Sequence, residues 1–141
     1  MRYLVATDGS REGDSAVEYA SRQAAAFDAT LEIVHVLTPD TRLVEGELVL
    51  AGGSKAVELG ERTLEGARRL AVDAVETDDP DVETELLSGR PAEAITDHAR
   101  EVDADAIYVG HRGLSEEREQ VVGSVAKSVL DKATVPVTVI R

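Results

Sequence analysis

Short runs of apolar and β-branched residues alternate with stretches of helical period along the whole sequence, and this alternation decides the class of fold. Tyr3–Thr7 (YLVAT) is a continuous apolar run ending in Asp8-Gly9-Ser10, which predicts a buried strand and a turn with Ser10 placed to cap a helix. Ala16, Val17, Ala20, Ala24 and Phe27 recur at helical spacing, predicting a helix over about Arg11–Phe27. Thr30–Leu37 (TLEIVHVL) is rich in β-branched residues and reads as a second strand. Helical spacing returns at Leu59, Thr63, Ala67, Leu70, Ala71 and Ala74 and stops in the acidic turn Asp78-Asp79-Pro80-Asp81. Val82–Leu87 (VETELL) alternates apolar with polar, as a strand at a sheet edge does. Pro91 occupies a first helical position with Glu93 in the first turn, and Ile95, Ala99 and Val102 supply the buried stripe of a third helix.

Ala106–Val109 (AIYV) predicts a fourth buried strand, Ser124–Lys132 a fourth helix and Val135–Ile140 (VPVTVI) a last strand, where Pro136 is tolerated only at a start or an edge. Five strands and four helices in strict alternation argue for an α/β fold, a parallel sheet with helices on both faces. Ligands of such sheets bind beyond the carboxyl ends of the strands, where strand order reverses, so the loops after strands one, two and four are the places to search. Thr38–Ser54 interrupts the alternation, with Pro39, Gly46 and Gly52-Gly53 marking loop. It carries Leu43, Val44, Leu48, Val49 and Leu50, a high apolar share that suits closure over a ligand, packing on a second subunit, or a short extra helix over its own core.

At 141 residues the chain is expected to form one domain over 1–141. It has no apolar run of about 18 residues to span a membrane, no signal-peptide pattern after Met1-Arg2-Tyr3, and no cysteine for disulfide or thiol chemistry, so a cytoplasmic location is expected. Asp plus Glu number 28 against 15 Lys plus Arg, a formal charge of -13, and only Lys55, Lys127 and Lys132 are lysines. Such a surface repels nucleic acid and anionic membranes. The acidity suits either a face for a basic partner or the solvated coat of a protein from a halophile, and the spread of acids from Asp8 to Asp131 favours the coat. His35, His98 and His111 share no ligand spacing, which argues against a dedicated metal site, and His35 reads as a packed or hydrogen-bonded core histidine. Ser10 lies in no Gly-x-Ser-x-Gly elbow, so nucleophilic catalysis is not expected.

The most informative motif follows the fourth strand: Gly110-His111-Arg112-Gly113, nine residues, then Gly123-Ser124 at a helix start. A glycine after a strand lets a ligand approach the backbone, and a helix start offers N–H groups, a hydroxyl and the positive end of the dipole. Together they suit a phosphate. Glu116, Glu117 and Glu119 stand in the spacer, and each would oppose a phosphate charge about 7 Å away by roughly 0.6 kcal/mol in water. At molar salt the Debye length is about 3 Å and most of that repulsion vanishes. Arg112 and Arg118 offset part of it.

With this motif the chain resembles the universal stress proteins, and among them the branch that carries G-x2-G-x9-G-[ST] and binds ATP. The resemblance also rests on Asp8-Gly9-Ser10, His35-Val36, Gly89-Arg90-Pro91, Asp105–Gly110 and Pro136-Val137, and covers nearly the whole chain. It implies a Rossmann-like sheet of order 3-2-1-4-5, as in the adenine nucleotide alpha hydrolases. It places Ala6, Thr7 and Asp8 at the pocket, with Asp8 near ribose or adenine, and Val36 against adenine. Gly110, His111, Arg112, Gly113 and Leu114 would wrap sugar and phosphates, Gly123, Ser124 and Val125 would hold the terminal phosphates, and Val109 is counted among the nucleotide-binding residues. His111 departs from the small hydroxyl residue common in the family. ATP with Mg²⁺ is the implied ligand, with AMP or a cyclic nucleotide as alternatives because the loop does not count phosphates. A homodimer through Val135–Arg141 is implied, and a role as a nucleotide-responsive regulator in stress. The alternatives are a slow ATP hydrolase using Asp8 or Glu119 as base, and a dimeric interaction module that takes no nucleotide. Asp8 also has a simpler reading, as the cap of the turn at Ser10.

Overall fold

A computed structural model describes residues 1–38, 53–111 and 122–141, together with the backbone of two short strands at 42–44 and 47–49. The elements run β1 (Arg2–Ala6), α1 (Arg11–Ala26), β2 (Thr30–Leu37), β3 (Arg42–Val44), β4 (Glu47–Val49), α2 (Ser54–Asp73), β5 (Val82–Ser88), α3 (Pro91–Glu101), β6 (Ala106–Gly110), α4 (Ser124–Lys132) and β7 (Val137–Ile140). Five parallel strands form one sheet of order β5-β2-β1-β6-β7, the predicted 3-2-1-4-5. VETELL does lie at an edge, as its wet face implies. The segment read as loop contains an antiparallel pair of short strands, Leu43 opposite Leu48, so Leu43, Val44, Leu48 and Val49 belong to strands instead of a helix, while Leu50 lies outside the described residues. The last strand begins at Val137, one residue after Pro136, whose carbonyl accepts the Ile107 N–H at 2.9 Å.

Strand alternation sorts the core into two layers. Tyr3, Val5, Leu31, Ile33 and Tyr108 face α1 and α2, meeting Ala16, Val17, Ala20, Leu64, Ala67 and Ala71. Leu4, Val34, Val36, Ile107 and Val109 face α3 and α4, meeting Ala92, Ile95, Ala99, Ala126 and Val129. Alanines on the helices let them lie close on the sheet, which is why a chain with so few aromatics still closes its core. The entire aromatic complement lies in one row on the α1 side, with ring centroids 6.4 Å apart for Phe27 and Tyr3, 5.7 Å for Tyr3 and Tyr108, and 6.1 Å for Tyr108 and Tyr19. Burial raises the Tyr108 phenol above its ordinary value.

Polar bonds hold the amino end of the sheet. Glu32 on β2 is buried, with Oε1 2.9 Å from His98 Nε2 on α3 and Oε2 3.7 Å from Arg2, which itself donates to Glu83 at 2.6 Å. Arg2 and Asp105 exchange a further pair of bonds, backbone to carboxylate at 2.9 Å and backbone to backbone at 2.8 Å. The opposite, carboxyl end is where the loops of interest converge. Among the described residues no helix is long and apolar enough to cross a membrane.

Candidate functional site at the carboxyl ends of the strands

The chain leaves β1 toward β2 on one side and returns, after β5, to place β6 on the other side of β1. Strand order therefore reverses between β1 and β6, and the loops leaving those two strands flank the crevice. Ala6 ends β1 and is half-buried. Thr7 is buried and continues the pairing one residue further, its N–H bonding Val34 O at 3.0 Å. Its hydroxyl accepts from Gly9 N–H at 3.1 Å, and its carbonyl accepts from His35 Nδ1 at 2.8 Å. His35 is thus a hydrogen-bonded core histidine, and its Nδ1 carries the proton in this contact because a carbonyl can only accept.

Gly9 turns the chain at φ +83°, and Asp8 Oδ1 accepts from Ser10 N–H at 2.9 Å, so the carboxylate does cap this turn. Ser10 caps α1 as expected, its hydroxyl accepting from Gly13 N–H at 3.1 Å. The first turn of α1 brings more acid to this end. Burial raises the Asp14 carboxyl above its ordinary value, and the Glu18 and Asp8 charges raise it further.

Val36 is buried near the end of β2, opposite Leu87, with its side chain in the α3/α4 layer. Val109 is buried on β6 in the same layer. Gly110 ends β6 beside α1: a Cβ there would stand 2.9 Å from the Glu12 carbonyl carbon and oxygen. The room that this glycine makes is filled by a helix, so packing accounts for it before any ligand is considered. Gly13 makes the same kind of approach, since a Cβ there would lie 2.6 Å from Thr7 Oγ1. Sequence reading missed Gly13, although a glycine inside a helix, about 1 kcal/mol worse than alanine, signals such a contact.

His111 is buried, its N–H on Ile140 O at 2.6 Å and its carbonyl accepting from Gly123 N–H at 2.7 Å. Arg112, Gly113 and Leu114 lie outside the described residues, as do Glu116, Glu117, Arg118 and Glu119. Gly123 is the N-cap of α4, and Ser124 and Val125 are its first two residues, both exposed. The expectation that Gly123 offers a free N–H is corrected, because His111 takes it. The intrahelical ladder starts with Lys127 N–H on Gly123 O at 3.0 Å, so Val125 and Ala126 have no partner within the helix itself. Gly123 has no side chain with which to cap α4. The structure therefore places the turn after β1, the end of β6 and the start of α4 at the carboxyl end of the sheet, where a helix N-terminus suits an anion.

Comparison with known proteins agrees with this fold. A family model described as "Universal stress protein family" matches residues 1–141. A universal stress protein of Thermus aquaticus is 34% identical over 139 residues, covering 98% of this chain and 96% of the relative. One from Mycolicibacterium smegmatis is 30% identical over 140 residues, and there this chain spans 47% of the relative's length. Among solved structures, a universal stress protein in complex with cAMP is similar at a TM-score of 0.77 and 27% identity, covering 100% of this chain and 97% of the other. One from Archaeoglobus fulgidus in complex with dAMP is similar at a TM-score of 0.76 and 26% identity, covering 100% and 98%. Fold, crevice and a match from the first residue to the last make this chain a member of the universal stress protein family.

Proposed function

We propose that this chain binds ATP in the crevice between β1 and β6 and acts as a nucleotide-responsive regulator under stress. The observation that carries this reading is that the end of β6, at the strand-order reversal, lies against the first turn of α1 at Gly110 and holds the start of α4 through His111 O. The complexes of similar proteins with cAMP and dAMP support an adenine nucleotide as the ligand. In this reading Ala6, Thr7, Asp8 and Val36 take the nucleoside, and Val109–Leu114 with Gly123, Ser124 and Val125 take the phosphates. Among the described residues no group of three or more His, Asp or Glu could hold a metal alone, so Mg²⁺ fits as an ion carried on the phosphate oxygens. Bound there, it would screen phosphate charge from Asp8 and Asp14.

The acidic surroundings make salt part of the test. Protein purified once in low salt and once in molar salt, denatured mildly and examined by mass spectrometry, should release adenine nucleotide, and titration with ATP should give tighter binding at molar salt. Failure to bind at either salt would leave the rival reading, an interaction module without nucleotide. The packing of Gly110 on Glu12 favours that rival, since it explains one motif glycine without a ligand.

The same reading includes a homodimer through Val135–Arg141. Its support is β7, an edge strand whose outer side has no partner in this sheet and whose residues are only half-buried.

A further inference from the structure

At the amino end of the sheet, opposite the nucleotide crevice, the carboxyl ends of α3 and α4 meet the starts of β6 and β7 around a cavity of about 310 Å³. Small-molecule pockets span ~300–1,000 Å³, so this one suits a compact ligand. Ala99, Ala104 and Ile107 line it and are buried, and Ala133 and Val135 line it half-buried. Alanine at three of these five positions leaves room that longer side chains would occupy. Thr96 lines the cavity as well, but its hydroxyl donates back to Ala92 O at 2.9 Å, so it offers a ligand no free donor. The lining is therefore apolar inside and polar at its exposed residues, Arg100, Asp103 and Thr134.

The charges at this end do not balance. Arg100 donates to Asp97, and Lys132 in the last turn of α4 lies 4.0 Å from Glu93, so both basic side chains of the two helix ends are matched. The Asp103 carboxylate has no hydrogen bond or ion pair among the described residues. It follows α3 directly, where the negative end of the helix dipole opposes its charge, and α4 brings the same end to Ala133. Asp103 also holds φ at +53°, a conformation for which glycine is the unstrained choice, while Ala104 N–H closes the helix on Ala99 O at 2.9 Å. A carboxylate set against a helix dipole and beside an apolar cavity is complementary to a cation that carries its own apolar body.

We propose that this cavity binds a small primary ammonium compound, its aliphatic chain against Ala99, Ala104, Ile107 and Val135 and its ammonium on Asp103. The site is separate from the nucleotide crevice and does not depend on it.

The probe is n-butylammonium chloride, with n-butanol as its uncharged and butyrate as its anionic counterpart, titrated into the full chain at low salt and followed by the methyl NMR signals of Ala99, Ala104, Ile107, Ala133 and Val135. Butylammonium should shift these signals with a Kd in roughly the millimolar range, as expected of a ligand of this size. It should bind about threefold tighter than butanol, the worth of an exposed ion pair, and butyrate should bind more weakly than either. Going from propyl- to butylammonium should tighten binding by about fourfold. Asp103→Asn should abolish the preference for ammonium over butanol and leave butanol unchanged. Asp28→Asn, the corresponding change after α1 at the same φ of +53°, should do neither. Ala99→Leu occupies the cavity and should abolish binding of both probes, and Ala133→Leu serves if that variant does not fold. Absence of shifts at these methyls, binding that survives the leucine, or a preference for ammonium that D103N leaves intact would overturn the proposal.

Discussion

Replacing Gly110 with alanine separates the two reasons a glycine can have at this position. A Cβ there stands 2.9 Å from the Glu12 carbonyl carbon and oxygen and 3.1 Å from Glu12 Cβ, against an ordinary contact of about 3.4 Å. The first turn of α1 would have to retreat by about half an ångström, and it is backbone, not a flexible side-chain tip, that must move. That turn is tied down by the Ser10 cap and by Gly13 lying against Thr7. Overpacking of this kind costs about 1–3 kcal/mol. Gly110 does not have positive φ, so alanine fits its backbone and recovers up to about 1 kcal/mol of unfolded-state entropy. The net loss expected is about 1–2 kcal/mol, a drop in Tm of about 3–8 °C for a chain this size. Gly66→Ala is the control: it lies mid-helix on α2 with nothing within 4 Å of the added methyl, and should gain about 0.5–1 kcal/mol. Urea unfolding read by tyrosine fluorescence suits the pair, because every tyrosine sits on the α1 side of the sheet. A G110A protein as stable as the parent, beside a G66A that gains as expected, would refute the packing account and return this glycine to ligand access.

Asp14→Asn should stabilise the protein at pH 7, because burial first, then Glu18 and Asp8, raise the Asp14 carboxyl above its ordinary 3.8. The native state holds that proton to higher pH than the unfolded chain, so the stability from this group is fully present below about 3.8 and lost as pH rises through the native value. The advantage of D14N should accordingly shrink on acidification, and an equal gain at pH 3 and pH 7 would contradict the cause assigned. His98→Leu leaves the buried Glu32 carboxylate with only Arg2 at 3.7 Å, and should cost about 2–3 kcal/mol, most of which Glu32→Leu in the same chain restores; calorimetric unfolding of the two variants decides this. Val139→Pro removes an N–H on the outer side of β7 while sparing the bonds to β6, so light scattering should give a monomer mass if that edge pairs with a second copy.

The family resemblance implied the order of the sheet, and the strands' own burial agrees with it: YLVAT and AIYV are apolar throughout, as central parallel strands are, and VETELL shows a wet face. The hairpin at Arg42–Val49 escaped notice because a three-residue strand is too short for period-2 alternation to stand out among glycines. At the site, Asp8, Ser10 and Gly123 were placed correctly as turn, cap and helix start because those roles are local. What could not be read was who takes whose hydrogen bond. Gly123 N–H goes to His111 O, and Gly110 lies against Glu12, because both depend on elements that only tertiary packing brings together. Gly13 was missed for the same reason, its partner Thr7 lying beyond the turn that the sequence shows.

The position of β1 at the centre of the sheet has a consequence for how the chain is made. Its neighbour β2 follows within one helix, but its other neighbour, β6, emerges about a hundred residues later, as the Arg2–Asp105 pair spans. During synthesis β5, β2 and β1 can assemble with α1 and α2 on one side while the other edge of β1 stays open. The strand made first is therefore among the last to be finished, and the crevice beside it does not exist until β6 docks. Such distant parallel pairing is slow to form. Until it forms, an exposed edge of Tyr3, Leu4 and Val5 is the segment most open to mispairing, and the ribosome holds the residues that would cover it.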